Sequence, residues 1–173
     1  SSSISCTSAS VTSGNAGSQQ VYVALNGQQY VTVSNDDFTY YNAAFSGNFL
    51  SPSSGPIGGD TVVTVSATGL VNTGEITVKF GTVGSAQSGT YVSGTSLTVT
   101  SPSASSGDAG DTQQMEIALN GQQYTVVATS EDAFTYYNAA FSGNFLAPHS
   151  GPIGGGTVVT VSATGLQNTG EIT

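Results

Sequence analysis

The chain has 173 residues and a net charge of −9, and Lys79 is its only Lys or Arg. Binding to phosphate backbones or to an anionic membrane surface needs cations, so both are excluded as functions. Charged residues make up only 6% of the chain, against roughly 25% in ordinary soluble domains, yet 37% are hydrophobic and fall in short alternating runs, which points to a folded all-β chain rather than a disordered one.

Near the start, Ile4-Ser5-Cys6-Thr7 reads as a short strand. Cys6 is the only cysteine, so no disulfide forms within the chain. The position reads as a small buried apolar residue, with an interchain bridge as the alternative. Asn26-Gly27 separates two β runs and is the preferred pair for a two-residue type I′ hairpin. Phe38-Thr39-Tyr40 closes this stretch. Phe49-Leu50-Ser51-Pro52 then opens a new set of strands, followed by a Gly/Pro turn. Thr61 to Thr68 places Thr61, Val63, Val65 and Ala67 on one face, and Glu75 to Phe80 aligns Ile76, Val78 and Phe80. Ser88 to Val92 and Ser96 to Thr100 read as two more strands, and Ser101 to Thr112 as a polar loop. A second hairpin surrounds Asn120-Gly121. A two-residue loop there sets Leu119 against Gln122, Ile117 against Tyr124 and Met115 against Val126. Glu116 marks the opposite face as solvent-facing, so the expected core is Val63, Val65, Ile76, Phe80, Leu97, Ile117, Leu119 and Tyr124.

The chain repeats itself out of frame. Tyr41 to Thr77 recurs as Tyr137 to Thr173 with only four differences, Ser51/Ala147, Ser53/His149, Asp60/Gly156 and Val71/Gln167. Ala24 to Tyr30 recurs as Ala118 to Tyr124. The period is about 95 residues, the size of a small β-sandwich. The expected organisation is the back part of a unit at 1–41, a complete unit at 42–137 and the front part of the next at 138–173. The fold class is all-β, with immunoglobulin-like β-sandwich repeats in tandem. Each end is expected to be completed by other polypeptide, either by continuing chain or by strand addition from a neighbouring copy.

The motif Leu50-Ser51-Pro52-x-x-Gly55-Pro56-x-Gly58-Gly59-x-Thr61-x-Val63-Thr64-Val65-x-x-x-Gly69-Leu70 resembles the opening of an IPT/TIG domain. The later marks are Val78-Lys79-Phe80-Gly81, Leu97-Thr98-Val99-Thr100-Ser101-Pro102 and Phe134-Thr135-Tyr136, with Ile4 to Ala9 and Phe38 to Tyr40 as their counterparts in the first part. The resemblance implies an immunoglobulin-like spacer or interaction module of extracellular or cell-surface proteins. It brings no catalytic residues, because the motif consists of turn glycines, a proline and core positions.

Candidate chemistry is sparse. His149 stands where the sister copy has Ser53, with no second His and no nearby Cys, so a triad or zinc site lacks its partners. The pairs Asp36/Asp37, Glu131/Asp132 and Asp108/Asp111 offer oxygens of the kind calcium takes, but acids that keep loops soluble are the plainer reading. The glycine-rich turns precede no helix and carry no Lys, so they read as strand connectors rather than phosphate cradles. Tyr40, Tyr41, Phe45 and Phe49, repeated as Tyr136, Tyr137, Phe141 and Phe145, put aromatics at the unit boundary, where packing between successive repeats is expected. The expected function is structural and non-enzymatic, with no cofactor or metal. It is a component of an extracellular filament, stalk or fibre assembled head to tail from copies of itself or from continuing repeats. The alternative is a cell-surface adhesin or carbohydrate-binding module, for which glycans are the partners.

Overall fold

The computed structural model describes residues 2–127, 133–140 and 142–166. It divides into two compact units, Ser1–Ala44 and Phe45–Thr173. The first holds one antiparallel pair, β1 (Gly17–Val23) and β2 (Val31–Tyr40), preceded by a 3₁₀ turn at Ser13–Asn15. Residues 2–12 contain no strand, so the one expected near Ile4 does not form, and Cys6 is exposed rather than buried. The residue matching Cys6 is Val99, which is buried on a strand flanked by two others. Among the described residues of the first unit there is no counterpart of those flanking strands.

The second unit contains β3 (Ser46–Ser51), β4 (Ser54–Pro56), β5 (Val62–Thr68), β6 (Thr77–Phe80), β7 (Val83–Ser88), β8 (Thr90–Ser93), β9 (Ser96–Thr100), β10 (Thr112–Gln113), β11 (Met115–Ala118), β12 (Thr125–Val126), β13 (Phe134–Tyr137), β14 (Ser142–Ala147) and β15 (Thr160–Thr164). One sheet has the order β3-β5-β9-β8, a second has β12-β11-β6-β7, and a three-stranded sheet has β10-β13-β4. β13 and β4 run parallel, and the other pairs are antiparallel. β14 and β15 form a separate pair.

Alternation fixes which face is buried. On β5, Val63, Val65 and Ala67 point inward; β9 contributes Leu97 and Val99, β6 contributes Val78 and Phe80, and β11 contributes Met115 and Ile117, all buried. Each large side chain of this kind, fully buried, contributes roughly 1.5–3 kcal/mol, which stands in for the absent disulfide. Seven of the eight expected core residues are buried. The expected strand Ser88 to Val92 is instead split at Gly89. β7 pairs with β6 in one sheet and β8 with β9 in the other. Gly89 makes this crossing because its N–H donates to Ile76 O at 2.9 Å and a Cβ there would lie 2.9 Å from Ile76 Cγ2.

The eighth, Tyr124, is a correction. The observed register pairs Ile117 with Thr125 and Glu116 with Val126, one residue away from the expected pairing. The turn is not type I′, which needs positive φ at both central residues; Gly121 has φ 71°, but Asn120 is not in that region. Instead the Asn120 side-chain oxygen accepts the N–H groups of Gln122 and Gln123, and the Gly121 N–H donates back to Ala118 O, which lengthens the loop. A one-residue slip exchanges faces, so Val127 enters the core and Tyr124 is left half-buried on the Glu116 side. Asn26 makes the same two bonds to Gln28 and Gln29 in the first unit.

Candidate functional site

The described members of the eight boundary aromatics differ widely in burial. Tyr136 is wholly buried within its own sandwich. Its ring meets Phe134 edge-on at 5.1 Å and Phe80 at 6.5 Å, and its hydroxyl donates to Pro102 O at 3.0 Å. Burial, reinforced by the negative charge of Asp108, pushes this hydroxyl up to about 12. A ring held this way is unavailable to a neighbouring repeat, so Tyr136 is a core residue rather than a boundary contact. Tyr137, next along β13, is half-buried, and its carbonyl accepts the Ile57 N–H at 2.8 Å.

Tyr40, the match of Tyr136, packs edge-on against Phe38 at 4.9 Å, as Tyr136 does on Phe134, but is only half-buried. Tyr41 lines a shallow depression of about 220 Å³ with Val11, Thr12 and Tyr40, and partial burial raises its hydroxyl above the usual tyrosine range. Phe45 is half-buried and Phe145, on β14, is exposed. Phe141 and the side chain of Phe49 lie outside the described residues.

The glycine-rich turn is a tight connector. A Cβ on Gly55 would stand 2.8 Å from the Phe134 ring, and one on Gly59, at φ 81°, would stand 2.7 Å from the Ser103 backbone nitrogen. The next residue, Asp60, has φ 61°, and its counterpart Gly156 has φ 83°. The Asp60/Gly156 difference between the copies is thus a substitution between two residues that tolerate left-handed backbone.

His149 is exposed in the turn after β14. Asp37 accepts a hydrogen bond from the Ser18 hydroxyl at 3.0 Å. Asp108 accepts the hydroxyl and the N–H of Ser105, and these bonds hold its carboxyl below the usual carboxylate range. The pair Glu131/Asp132 lies outside the described residues. Among the described residues no group of three or more His, Cys, Asp or Glu comes together as metal ligands, and no helix is long and apolar enough to cross a membrane. The lone Lys79 stands over the Tyr124 ring at 3.8 Å, and the Tyr124 hydroxyl shares a 3.0 Å hydrogen bond with Thr77 Oγ1.

The most distinctive surfaces are apolar. In the first unit an open groove of about 520 Å³ is lined by Val23, Leu25, Asn26, Gln29, Val31, Thr32 and Val33. Leu25 is 94% exposed there, whereas its match Leu119 is 1% exposed. On β15, Val161 is 53% exposed, whereas its match Val65 is 0% exposed. The signal that locates these faces in the sequence is the repeat itself, because it shows which exposed residues match buried positions elsewhere in the chain.

Residues 49–141 match the family model of the IPT/TIG domain. Two solved structures of the plexin A4 full extracellular region are similar to the chain. One, with domains 1 to 8, has 18% identity and a TM-score of 0.44, and the match covers 60% of this chain and 9% of that one. The other, with domains 1 to 10, has 17% identity and a TM-score of 0.46, and the match covers 66% of this chain and 9% of that one. The chain thus spans about a tenth of the length of these structures. No curated protein matches it.

Proposed function

Because the chain belongs to the IPT/TIG domain family, we propose that it is a segment of an extracellular or cell-surface array in which immunoglobulin-like repeats act as structural spacers, end to end, in a stalk or filament. The observation that carries this reading is the repeat: 37 consecutive residues recur with four differences at a spacing of about one domain. Near-identity of that kind suits units whose common task is to add length. The faces of the complete unit fit the same reading. Its buried positions are packed by Val, Leu, Ile and Phe, and its exposed ones carry Ser, Thr, Asn and Gln rather than a convergent set of nucleophile, base and oxyanion donors. The unit boundaries at 42 and 137 belong to this proposal, as does contact between repeats through Tyr41, Phe45 and Phe145.

The test is to join two, four and six copies of residues 42–137 and measure their length by negative-stain microscopy. Length rising in equal steps supports a spacer array. Collapsed particles whose size is independent of repeat number overturn it. A glycan array run on the same proteins separates the adhesin reading, since specific sugar binding by a single repeat assigns the function to a ligand site.

A further inference from the structure

The chain holds two Asn-Gly pairs, Asn26-Gly27 and Asn120-Gly121, each in the loop of a hairpin and each inside the same residues, Ala-Leu-Asn-Gly-Gln-Gln-Tyr. An asparagine before glycine can modify itself, because glycine has no side chain to keep its nitrogen away from the asparagine amide. The glycine nitrogen gives up its proton and attacks Cγ, a C–N bond forms, and Nδ2 leaves with a proton as ammonia. Water then opens the five-membered succinimide at either carbonyl, to Asp or to isoaspartate, whose main chain runs through the side chain. Neither oxidant nor enzyme takes part.

Ring closure needs a nitrogen free to lose its proton and an amide free to turn onto it. In the complete unit both are held. The Gly121 N–H donates to Ala118 O at 3.4 Å, so the nitrogen faces back along the chain. The Asn120 amide is held forward: Oδ1 accepts the Gln122 and Gln123 N–H groups at 3.1 and 3.2 Å, and Nδ2 donates to Gln123 Oε1. The loop is also packed. Asn120 and Gly121 are half-buried, and a Cβ on Gly121 would stand 3.3 Å from Glu75 O. Asn26 makes the same side-chain bonds to Gln28 and Gln29, but Asn26 and Gly27 are exposed, and nothing lies within 4 Å of a Cβ at Gly27. Two N–H groups on Oδ1 also draw electrons from Cγ, which favours attack. That polarisation has no effect until the nitrogen reaches Cγ, so positioning decides the rate.

We infer that Asn120 is a self-modification site held shut by the fold: the native hairpin keeps it an amide, and opening of the hairpin releases it to deamidate to Asp or isoaspartate. Refolding does not reverse the change. A carboxylate oxygen replaces the donor to Gln123 Oε1, and isoaspartate lengthens the main chain between Leu119 and Val127, both buried, in a loop whose length sets the register. A repeat that has once unfolded is thus marked and weakened.

The test follows both asparagines in the 173-residue chain during incubation in mildly alkaline buffer, with and without concentrated urea. Trypsin cuts the unfolded product only after Lys79 and so puts the two sites on different fragments. Tandem mass spectrometry then locates deamidation in each fragment, and isoaspartyl methyltransferase labelling counts isoaspartate. In urea the two sites share their local sequence and should react at the same rate. In buffer Asn120 should react at least about tenfold more slowly than in urea, because reaction through an opened hairpin is scaled by the open fraction. It should also react more slowly than Asn26. Gln123→Ala, at an exposed position, removes the acceptor for Nδ2 and should speed Asn120 in buffer while leaving Asn26 unchanged. An Asn120 rate in buffer equal to or above that in urea, equal rates at the two sites in buffer, or no response to Gln123→Ala each overturns the inference. The array reading is judged separately, on the length of covalently joined repeats.

Discussion

Replacing Tyr136 by Phe removes one hydroxyl from the best-packed point of the complete unit. The side chain has no exposed surface, its ring is held by Phe134 and Phe80, and the hydroxyl donates to the carbonyl of Pro102, a buried residue in the segment after β9. The ring packing survives the change, so the cost is the hydrogen bond together with the desolvation of an acceptor left without this donor. A bond of this kind contributes about 0.5–1.5 kcal/mol net, and an unsatisfied buried group costs roughly 1–3 kcal/mol, so the expected loss is about 1–2 kcal/mol. Tyr136→Ala also removes the ring and should cost about 3–5 kcal/mol. The assay is urea unfolding followed by circular dichroism. With a slope of roughly 1–3 kcal/mol per molar, the Phe variant should lower the midpoint by about 0.5–1 M without changing the slope. A Phe variant with the wild-type midpoint would show that the hydroxyl does not hold β13 to the segment after β9, and the assignment of Tyr136 as a tie between sheets would be wrong.

Alkaline pH should act through the same residue. The folded chain holds the Tyr136 proton up to about 12, above the usual value of 10. Its contribution is therefore complete below pH 10 and is lost as pH rises through about 12, and Tyr136→Phe should flatten that part of the stability profile. Asp108→Asn removes the charge that helps raise this value, and ultraviolet titration should find the most alkaline tyrosine shifted downward. The hairpin register is tested by a contrast. Ile117→Ala should cost about 2–5 kcal/mol, whereas Tyr124→Ala, which loses a half-exposed ring and its contact with Lys79, should cost less than about 2 kcal/mol; equal losses in chemical denaturation would restore the two-residue turn. In the glycine-rich turn, Gly59→Ala should lower the melting temperature because its Cβ meets backbone at 2.7 Å. Asp60→Val should cost roughly 1–2 kcal/mol for left-handed backbone, while Asp60→Gly, which copies residue 156, should change stability by less than about 1 kcal/mol.

Much of the fold was legible in the sequence because it is written in local alternation. On β5, β6 and β9 every second residue is apolar, and a strand with one buried face has only one register that serves it, so Val63, Val65, Val78, Phe80 and Leu97 were readable as core. The repeat showed the scale of the unit and which residues occupy equivalent places, and the turn glycines and Phe-x-Tyr close showed the family. Tertiary structure decided the rest, wherever a residue's role depends on what lies opposite it. Tyr136 reads as a boundary aromatic, but Phe134, Phe80 and the Pro102 carbonyl close around it and make it core. Tyr124 reads as core, but side-chain capping by Asn120 moved the hairpin register by one residue and turned it outward. β7, with Gly84, Ser85 and Gln87, has no apolar pattern, and only its pairing with β6 makes it a strand. Cys6 and Val99 occupy the same place in their repeats, and one is exposed and the other buried because burial belongs to the opposing sheet and not to the residue.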